Sequence, residues 1–354
     1  MAHAVRNIAV RAAALAALGL PLPAATQAPE LPLRVVGGLD GINQYTRHEA
    51  PFWTERLPRL SGGRYRAEIV PFDRAGIRPQ ELLAMVRVGT VRFGTLLVAA
   101  AAPKDAELSA ADLAGMSPDI ASARRAVEAF RPRMRELLRE RHNAELLAVY
   151  VYPAQVLFCN APLPSLESLR GRRVRTSSVT QSDWVSALGG IPVGTTFADI
   201  VPNMRAGNMD CAITGTMSGN TIGLHEVTSH LHGMAINWGL AAFMAHGPTW
   251  RSLPQDLREL LQRELPRLEA DIWDEAARET AEGIACSTGD RAGCRSGKPG
   301  RMQLVPAAPA DEALRRRVLR EAVLPAWSQR CGPGCAARWD EWLGPVVGVE
   351  LRGR

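Results

Sequence analysis

Arg175 lies in a short strand predicted at residues 173–176, where a charged side chain exposed to water is not expected. Its planar guanidinium can hold a carboxylate through two charge-assisted hydrogen bonds, each worth roughly 1.5–3 kcal/mol. The alternative is a structural arginine paired with an acid at a domain surface. Arg173, two residues earlier, is predicted to be such a surface residue. The pattern around Arg175 favours binding of a small carboxylate.

Motifs for catalysis are missing from the sequence. It contains no GxSxG nucleophile motif, no phosphate-binding loop and no dinucleotide fingerprint. His225, Glu226, His230 and His232 suggest a metal site, but their spacing differs from HExxH, which places both histidines on one helical face. The sequence therefore predicts no catalytic residue, no cofactor and no metal, and the protein is not expected to be an enzyme.

The composition excludes some partners. The chain has 354 residues, 46% of them hydrophobic, which is enough for two domains with buried cores. Its net charge of +6 comes almost entirely from arginine, because only Lys104 and Lys298 are lysines. No basic run interleaved with aromatic residues is present, so nucleic-acid binding is not predicted.

Residues 1–28 have the features of a secretory signal peptide. Arg6 and Arg11 precede a short apolar run, residues 12–22, and small residues follow at the expected cleavage region. A membrane anchor is the alternative, although the run is too short to span a bilayer. No later segment has eighteen consecutive apolar residues. The mature protein is therefore expected to be periplasmic, without stable membrane insertion.

Six cysteines agree with an exported protein. Cys286 and Cys294 bracket a polar loop, and Cys331 and Cys335 bracket a Gly-Pro-Gly turn, so two local disulfides are predicted. Cross-pairing among these four remains an alternative. The other two cysteines, Cys159 and Cys211, lie in apolar strands and are predicted to be buried thiols or a third disulfide.

Strands and helices alternate along the chain. Strands predicted at residues 33–36, 65–70 and 91–99 alternate with helices at 43–60 and 79–88, which favours an α/β fold with parallel strands. An extended run at residues 145–160, broken at Pro153, is typical of a strand that crosses between two lobes. A long amphipathic helix is predicted at residues 254–285, interrupted or bent at Pro266.

Two blocks of sequence resemble the periplasmic solute receptors of tripartite ATP-independent periplasmic (TRAP) transporters, of the dicarboxylate-receptor type. The first block contains Ser61-Gly62-Gly63-Arg64, Pro71, Gly76, Glu81-Leu82 and Val86-Arg87-Val88-Gly89-Thr90-Val91. The second contains Leu166, Leu169-Arg170-Gly171, Val174-Arg175, Gly189-Gly190, Pro192, Phe197, Asp199, Gly207 and Met209-Asp210, and Glu226-Val227 follows it. The resemblance covers roughly residues 33–330.

The resemblance implies a two-lobed periplasmic binding protein whose lobes close on a ligand by hinge motion, with a long helix spanning both. It implies lobe I at residues 29–152 with parts of 242–354, lobe II at 153–241, and the long helix at 254–285. The cysteine-containing segment 286–354 then packs on the lobes.

The resemblance also implies a site for an organic acid. Arg175 stands where the family has its substrate arginine, and the other candidates are Thr214, Gln155, Trp238, Phe197 and Asn43, with Tyr45 a weaker one. Thr214 replaces an asparagine of many members, so its hydroxyl would take over from an amide. Arg92, Val201 and Pro202 also depart from the family pattern. A simple C4-dicarboxylate is therefore not assured.

The function expected from these features is capture of a mono- or dicarboxylate and its delivery to TRAP membrane permease subunits. A secreted α/β enzyme such as a hydrolase, or a receptor that presents its ligand to a sensor, are the alternatives.

Overall fold

The strands form two sheets. The structure is a computed structural model that describes residues 32–351, so the predicted signal peptide lies outside the described residues. The strands are β1 (Leu33–Gly37), β2 (Ala67–Pro71), β3 (Phe93–Leu97), β4 (Ala144–Val151), β5 (Gln155–Cys159), β6 (Arg173–Thr176), β7 (Ile191–Gly194), β8 (Cys211–Gly215), β9 (His230–Asn237), β10 (Leu240–His246) and β11 (Gln303–Val305).

The first sheet has the order β2-β1-β3-β10-β4. Strand β1 is parallel to β2 and β3, whereas β10 is antiparallel to both β3 and β4. The second sheet has the order β11-β9-β5-β8-β6-β7. In it β6 is parallel to β7 and β8, whereas β5 is antiparallel to β8 and β9. The parallel pairs require crossover connections, which the helices supply.

Helices cover both sheets. They are α1 (Leu57–Leu60), α2 (Pro79–Arg87), α3 (Val98–Ala101), α4 (Ile120–His142), α5 (Val179–Ala187), α6 (Ile200–Arg205), α7 (Thr216–Thr221), α8 (Gly247–Ser252), α9 (Gln255–Thr288), α10 (Pro309–Val318), α11 (Leu324–Cys331), α12 (Cys335–Trp342) and α13 (Gly344–Val347). Segments of π-helix lie at Gln44–Glu49, Phe52–Arg56 and Leu319–Val323, and 3₁₀ turns at Ala106–Asp112, Leu166–Leu169 and Leu224–Glu226. In the described part of the chain, no helix is long and apolar enough to cross a membrane.

Helix α9 contacts elements of both halves of the molecule. It packs against β4 of the first sheet and against α7, β9 and β11 of the second. The helix continues through Pro266, so the predicted interruption there is wrong. A proline removes one backbone donor, and the buried Leu265 and Leu268 on either side keep the helix packed.

Two short connections join the sheets. The chain leaves β4 at Val151 and enters β5 at Gln155, with the predicted break at Pro153 between them. It returns from β9 to β10 through Trp238 and Gly239. Of the expected limits of lobe II, residue 153 lies in the first connection and residue 241 lies in β10, two residues after the second. These limits stay a prediction.

Disulfides close three places in the described chain. Cys286–Cys294 and Cys331–Cys335 are local bridges, so that prediction is confirmed and the cross-pairing is wrong. Cys159–Cys211 is the third bridge, and it joins directly opposed residues of β5 and β8 with a Cα–Cα distance of 4.1 Å.

Local side-chain bonds lie at the starts of α5 and α6. Ser178 caps α5, because its hydroxyl accepts the backbone N–H of Gln181. The Thr196 hydroxyl bonds the Asp199 carboxylate at 2.5 Å, but α6 begins only at Ile200. A local side-chain pair of this kind competes with capping.

Candidate functional site

The polar residues predicted for the site lie at one edge of the second sheet. Strands β6, β8 and β9 end at this edge, and Gln155, the first residue of β5, pairs with Gly215 and Asn237. Arg175 is one residue before the end of β6, and Thr214 is one before the end of β8. In open α/β sheets, ligands bind in the crevice outside the carboxyl ends of the strands. The structure therefore brings Arg175, Thr214 and Gln155 together at such an edge.

Arg175 is a buried cation without an acidic partner. Its residue surface is only 4% exposed. The guanidinium donates to the Ile213 carbonyl at 2.7 Å and twice to the Thr195 carbonyl, at 3.2 and 3.3 Å. These bonds use three of its five N–H donors. Burial lowers the pKa of Arg175 to about 10, and no neighbouring carboxylate opposes this effect.

A cation buried without compensation is costly. Three hydrogen bonds to the carbonyl oxygens of Thr195 and Ile213 hold the guanidinium in place. Two of its N–H groups are left to bind another group. The surface ion pair that was the alternative for Arg175 is found instead at Arg173, which bonds Asp210 at 2.7 Å. A bound anion would supply the negative charge that is missing beside Arg175.

Thr214 and Gln155 offer further polar groups at this edge. The Thr214 residue is 3% exposed, and its hydroxyl bonds no other described residue. The Gln155 Oε1 accepts from Gln181 Nε2 at 2.8 Å and from the Ser177 hydroxyl at 3.4 Å. The Gln155 amide nitrogen has no such bond within residues 32–351 and lies against Gly239.

Gln181, Asn237 and Asp112 extend this network and were not predicted from the sequence. Gln181 Nε2 donates to Asn237 Oδ1 at 2.7 Å, and Asn237 Nδ2 donates to Asp112 at 3.0 Å. Asp112 also accepts the backbone N–H groups of residues 238, 239 and 240, which fixes the connection between β9 and β10. Burial raises the pKa of Asp112 to about 6 despite these bonds.

The two aromatic candidates occupy different environments. Trp238 is 3% exposed, and its indole N–H donates to the Ser117 carbonyl at 3.1 Å. This placement favours packing over ligand contact. Phe197, in the segment between β7 and α6, is partly buried and packs against two apolar clusters, one with residues from both sheets and one formed by the first sheet and α9. It therefore lies between these two clusters.

Asn43 faces α9. Its side-chain amide donates to the Glu279 carboxylate, which is 4% exposed. Burial raises the pKa of Glu279 to about 7, more than the bond from Asn43 lowers it. The Tyr45 hydroxyl donates to the Ile69 carbonyl at 3.3 Å, so this side chain covers the ends of β1 and β2. Asn43 thus connects the first sheet's entry helix to the spanning helix.

Glu49 is a second buried ionisable residue that was not predicted. It is 0% exposed and accepts from Thr95 Oγ1 at 2.7 Å, Gln44 Nε2 at 2.8 Å and Gly38 N at 3.1 Å. No cation neighbours it, and burial raises the pKa of Glu49 to about 7. A sequence signal was present, because Glu49 lies three and four residues before the apolar Phe52 and Trp53, on the buried helix face.

The predicted absence of a metal site concerned the histidines of residues 225–232. In the described chain, the group with metal-ligand spacing is instead Glu107, Cys331 and Cys335. The two sulfur atoms of that group are joined in a disulfide, so they are not free to ligate.

These features define a class of protein: an α/β protein of two sheets, with one long helix that contacts both halves and polar residues at the ends of the strands. The sequence pattern of the DctP family, described as bacterial extracellular solute-binding protein, family 7, matches residues 42–289. The chain belongs to this family, and the predicted resemblance to TRAP solute receptors is confirmed.

Solved structures share the fold. A Bordetella pertussis extracytoplasmic solute receptor, DctP7, binding pyroglutamic acid, superposes with a TM-score of 0.77 at 16% identity, covering 88% of this chain and 99% of that one. A Rhodoferax ferrireducens TRAP periplasmic solute-binding protein with bound malonate gives 0.74 at 16% identity, with coverages of 89% and 98%.

A third similar structure is a TRAP periplasmic solute-binding protein from Desulfovibrio salexigens with bound orotic acid. Its TM-score is 0.76 at 14% identity, with coverages of 89% of this chain and 99% of that one. Among curated proteins, no significant match is found. At these identities the structures establish the two-lobed fold, and the predicted fold class is confirmed.

Proposed function

We propose that this receptor captures a small organic acid in the crevice between its lobes and that Arg175 binds the carboxylate. The observation that carries the proposal is the buried guanidinium of Arg175, which has no acidic partner in the described chain and two unused N–H donors. A carboxylate would supply the missing charge and take both donors in a bidentate pair.

The other predicted residues take supporting roles in this proposal. The Thr214 hydroxyl and the Gln155 amide lie at the same edge and bind further polar atoms of the ligand. Phe197 closes over the ligand from lobe II, and Trp238 and Asn43 shape the wall and the approach from α9. Lobe I comprises residues 29–152 with parts of 242–354, and lobe II residues 153–241.

The ligands named for similar structures support an organic acid. Pyroglutamic acid, malonate and orotic acid all carry a carboxyl group and differ in the remainder of the molecule. The carboxyl group common to these ligands is the kind of anion that the buried Arg175 of this chain would bind. The remainder of the ligand differs among these structures. In this chain Val201, Pro202 and Thr214 depart from the family pattern, so we expect the remainder of its ligand to differ too.

The physiological role follows from the family. The protein is exported by the signal peptide at residues 1–28, works in the periplasm and delivers its ligand to TRAP permease subunits in the membrane. It performs no chemistry on the ligand. The second candidate is a receptor that presents the ligand to a sensor protein. Such a receptor would capture the ligand at the same site.

The test compares Arg175→Met with the matched control Arg173→Met on the same strand. Ligand binding is measured by calorimetry and thermal shift over a panel of mono- and dicarboxylates. Loss of two charge-assisted bonds predicts at least ~100-fold weaker binding for Arg175→Met. A ligand at a hundred times its Kd should stabilise the wild type by about 2.7 kcal/mol.

Arg173→Met should bind as the wild type does, because Arg173 is paired with Asp210 outside the proposed contacts. The unliganded Arg175→Met protein should be at least as stable as the wild type, since a buried unpaired charge is removed. The proposal is wrong if no organic acid shifts the melting temperature, or if Arg175→Met binds the acid normally.

A further inference from the structure

A chain of side-chain hydrogen bonds runs from Gln155, at the edge of the second sheet, to Asp112. Gln181 Nε2 donates to Gln155 Oε1 at 2.8 Å and to Asn237 Oδ1 at 2.7 Å. Asn237 Nδ2 in turn donates to Asp112 at 3.0 Å. Gln155 is half-buried, whereas Gln181 is 0% exposed. A ligand therefore cannot touch Gln181, and Gln181 can affect a ligand only through its neighbours.

The direction of these bonds is fixed at both ends of the chain. The Ser177 backbone N–H can only donate, and it bonds Gln181 Oε1 at 2.7 Å. The Gln181 amide must then turn its nitrogen towards Gln155 and Asn237. At the other end, Asp112 accepts three backbone N–H groups of the connection between β9 and β10 as well as the Asn237 amide. Exchanging oxygen and nitrogen in any of these amides would place two donors or two acceptors face to face.

Gln155 therefore uses its amide oxygen inside the protein and not its nitrogen. The oxygen accepts from Gln181 Nε2 at 2.8 Å and from the Ser177 hydroxyl at 3.4 Å. The nitrogen bonds no residue within 32–351, and it is not one of the buried side-chain atoms that lack a partner there, so it is accessible to water. A methyl group at Gly239 would lie 2.4 Å from this nitrogen, so glycine leaves room for it. The edge of the sheet thus presents N–H donors of Gln155.

The Gln155 amide belongs to the same edge as Arg175. Strand β8 lies between β5 and β6, and Gln155 pairs with Gly215 at the end of β8. Ser177, whose hydroxyl donates to Gln155 Oε1, follows Arg175 by two residues. The free N–H groups of Arg175 and of Gln155 are therefore presented at one end of the same three strands.

Resting on the proposed function, we propose that Gln181 is a positioning residue for ligand binding. By donating to the Gln155 oxygen, it turns the Gln155 nitrogen outward, where this nitrogen donates to an oxygen of the acid bound by Arg175. Without Gln181 the Gln155 amide can rotate and present its own oxygen, which repels a carboxylate. A donor that is already oriented saves the free energy of ordering it when the ligand binds.

The test is a double-mutant cycle of Gln155→Met, Gln181→Met and the two together. Kd is measured by calorimetry for pyroglutamate, malonate, orotate and the other acids of the mono- and dicarboxylate panel. Gln155→Met is expected to weaken binding about tenfold or more, because a hydrogen bond to a charged group is lost. Gln181→Met is expected to weaken it about threefold or more.

The double variant distinguishes positioning from a general structural role. Because Gln181 acts through the Gln155 amide, the double variant is expected to bind within about twofold of Gln155→Met alone. Two independent effects would instead multiply.

Thr180→Val is the matched control on the same helix. Thr180 is 4% exposed, and its hydroxyl accepts the Ala114 backbone N–H at 3.3 Å, away from Gln155. This variant is expected to melt at a lower temperature than the wild type and to keep the wild-type Kd. Melting temperatures without ligand, measured for every variant, separate loss of stability from loss of affinity.

The wild type supplies a measurement that needs no buried substitution. Side-chain amide signals are followed by nuclear magnetic resonance, and those of Gln155 are identified by their absence in Gln155→Met. Without ligand, the Gln181 amide protons are expected to be protected from exchange with water and those of Gln155 to exchange freely. Saturating acid is expected to shift the Gln155 signals and to protect them.

An unchanged Kd in Gln155→Met or in Gln181→Met would overturn this inference. So would effects that multiply in the double variant, or Gln155 amide signals that ignore saturating acid. In each case Arg175→Met would still weaken binding, so the proposed function would stand. If no acid binds the wild type, the receptor proposal itself fails, and this inference fails with it.

Discussion

Arg175 and Glu49 are buried ionisable residues, one on each lobe, and neither forms an ion pair in the described chain. Many other charged side chains in that part of the molecule do form ion pairs, such as Arg131 with Glu269. Buried, uncompensated charge lowers the stability of a fold and persists where function requires it. We propose that the two residues lie on opposite sides of the ligand site.

Glu279 gives a prediction for stability and pH. Its pKa is raised from 4.5 to about 7 by burial, so between these values the native state holds a proton that the unfolded state has lost. Stability from this group is complete below about pH 4.5 and is lost as the pH rises towards 7. A shift of this size corresponds to roughly 3 kcal/mol.

We therefore expect Glu279→Gln to be more stable than the wild type at pH 8 and to lose less stability between pH 5 and pH 8. Urea unfolding across this range measures the difference. Glu259→Gln, an exposed substitution on the same helix, should follow the wild-type curve. A Glu279→Gln curve parallel to the wild type would contradict the assignment.

At the residue scale the sequence singled out Arg175, because a charge inside a strand is unusual, and the structure places it in a buried position. Its contact with a carboxylate stays a prediction. The sequence did not identify Glu49, Gln181 or Asp112. Their roles depend on which strand ends lie side by side, and pairings such as Gln155 with Asn237 bring together residues 82 positions apart. Such pairings cannot be deduced from periodicity.

Helix α9 holds the two lobes together through a close contact with α7. A methyl group at Gly283 would lie 2.2 Å from Met217 N and 2.4 Å from the Thr216 carbonyl carbon. These atoms are backbone and cannot rotate away. The Thr216 hydroxyl also donates to the Glu279 carbonyl at 3.1 Å on the same face. The helix therefore requires glycine where α7 crosses it.

Gly283→Ala is expected to destabilise the protein by about 1–3 kcal/mol through overpacking. In a helix with free space at this position, glycine to alanine would stabilise the protein by up to about 1 kcal/mol. The sign of the change in unfolding free energy therefore distinguishes the two cases. Chemical denaturation measures the free energy of unfolding. Gly233→Ala on β9 is the control, because a methyl group there meets only ordinary contacts, with Leu304 at 3.5 Å. An increase in stability for Gly283→Ala would exclude the close contact.

The helix at residues 254–285 was predicted within a few residues, since its apolar periodicity is long and regular. For Pro266 the sequence left an interruption or a bend open, and the close contact at Gly283 was not predicted. Whether a helix tolerates proline or requires glycine depends on the elements that pack against it.

At the scale of the whole molecule, Phe197 lies in the segment between β7 and α6 and packs against the apolar cluster of the first sheet and α9. If the lobes close on an acid bound to Arg175, ligand should reduce the radius of gyration measured by small-angle X-ray scattering. The Arg175→Met variant should show no reduction at the same ligand concentration. A radius unaffected by saturating ligand in the wild type would contradict closure in solution.

The two-lobed arrangement was predicted through the order of family motifs and not through physical pattern alone. Strand–helix alternation indicated parallel sheets, and Pro153 marked the first connection. The second connection, at Trp238 and Gly239, carries no comparable sequence signal. Asp112, 126 residues before Trp238, organises it by accepting three backbone N–H groups.

The position of β10 between β3 and β4 has a consequence for folding during synthesis and export. Strands β3 and β4 have no direct pairing, and the strand that joins them begins only at Leu240. An emerging chain must therefore wait for nearly a hundred further residues after β4 before its first sheet can be completed. Such long-range pairing slows folding, so the precursor is expected to stay unfolded, and competent for translocation, until most of it has been made.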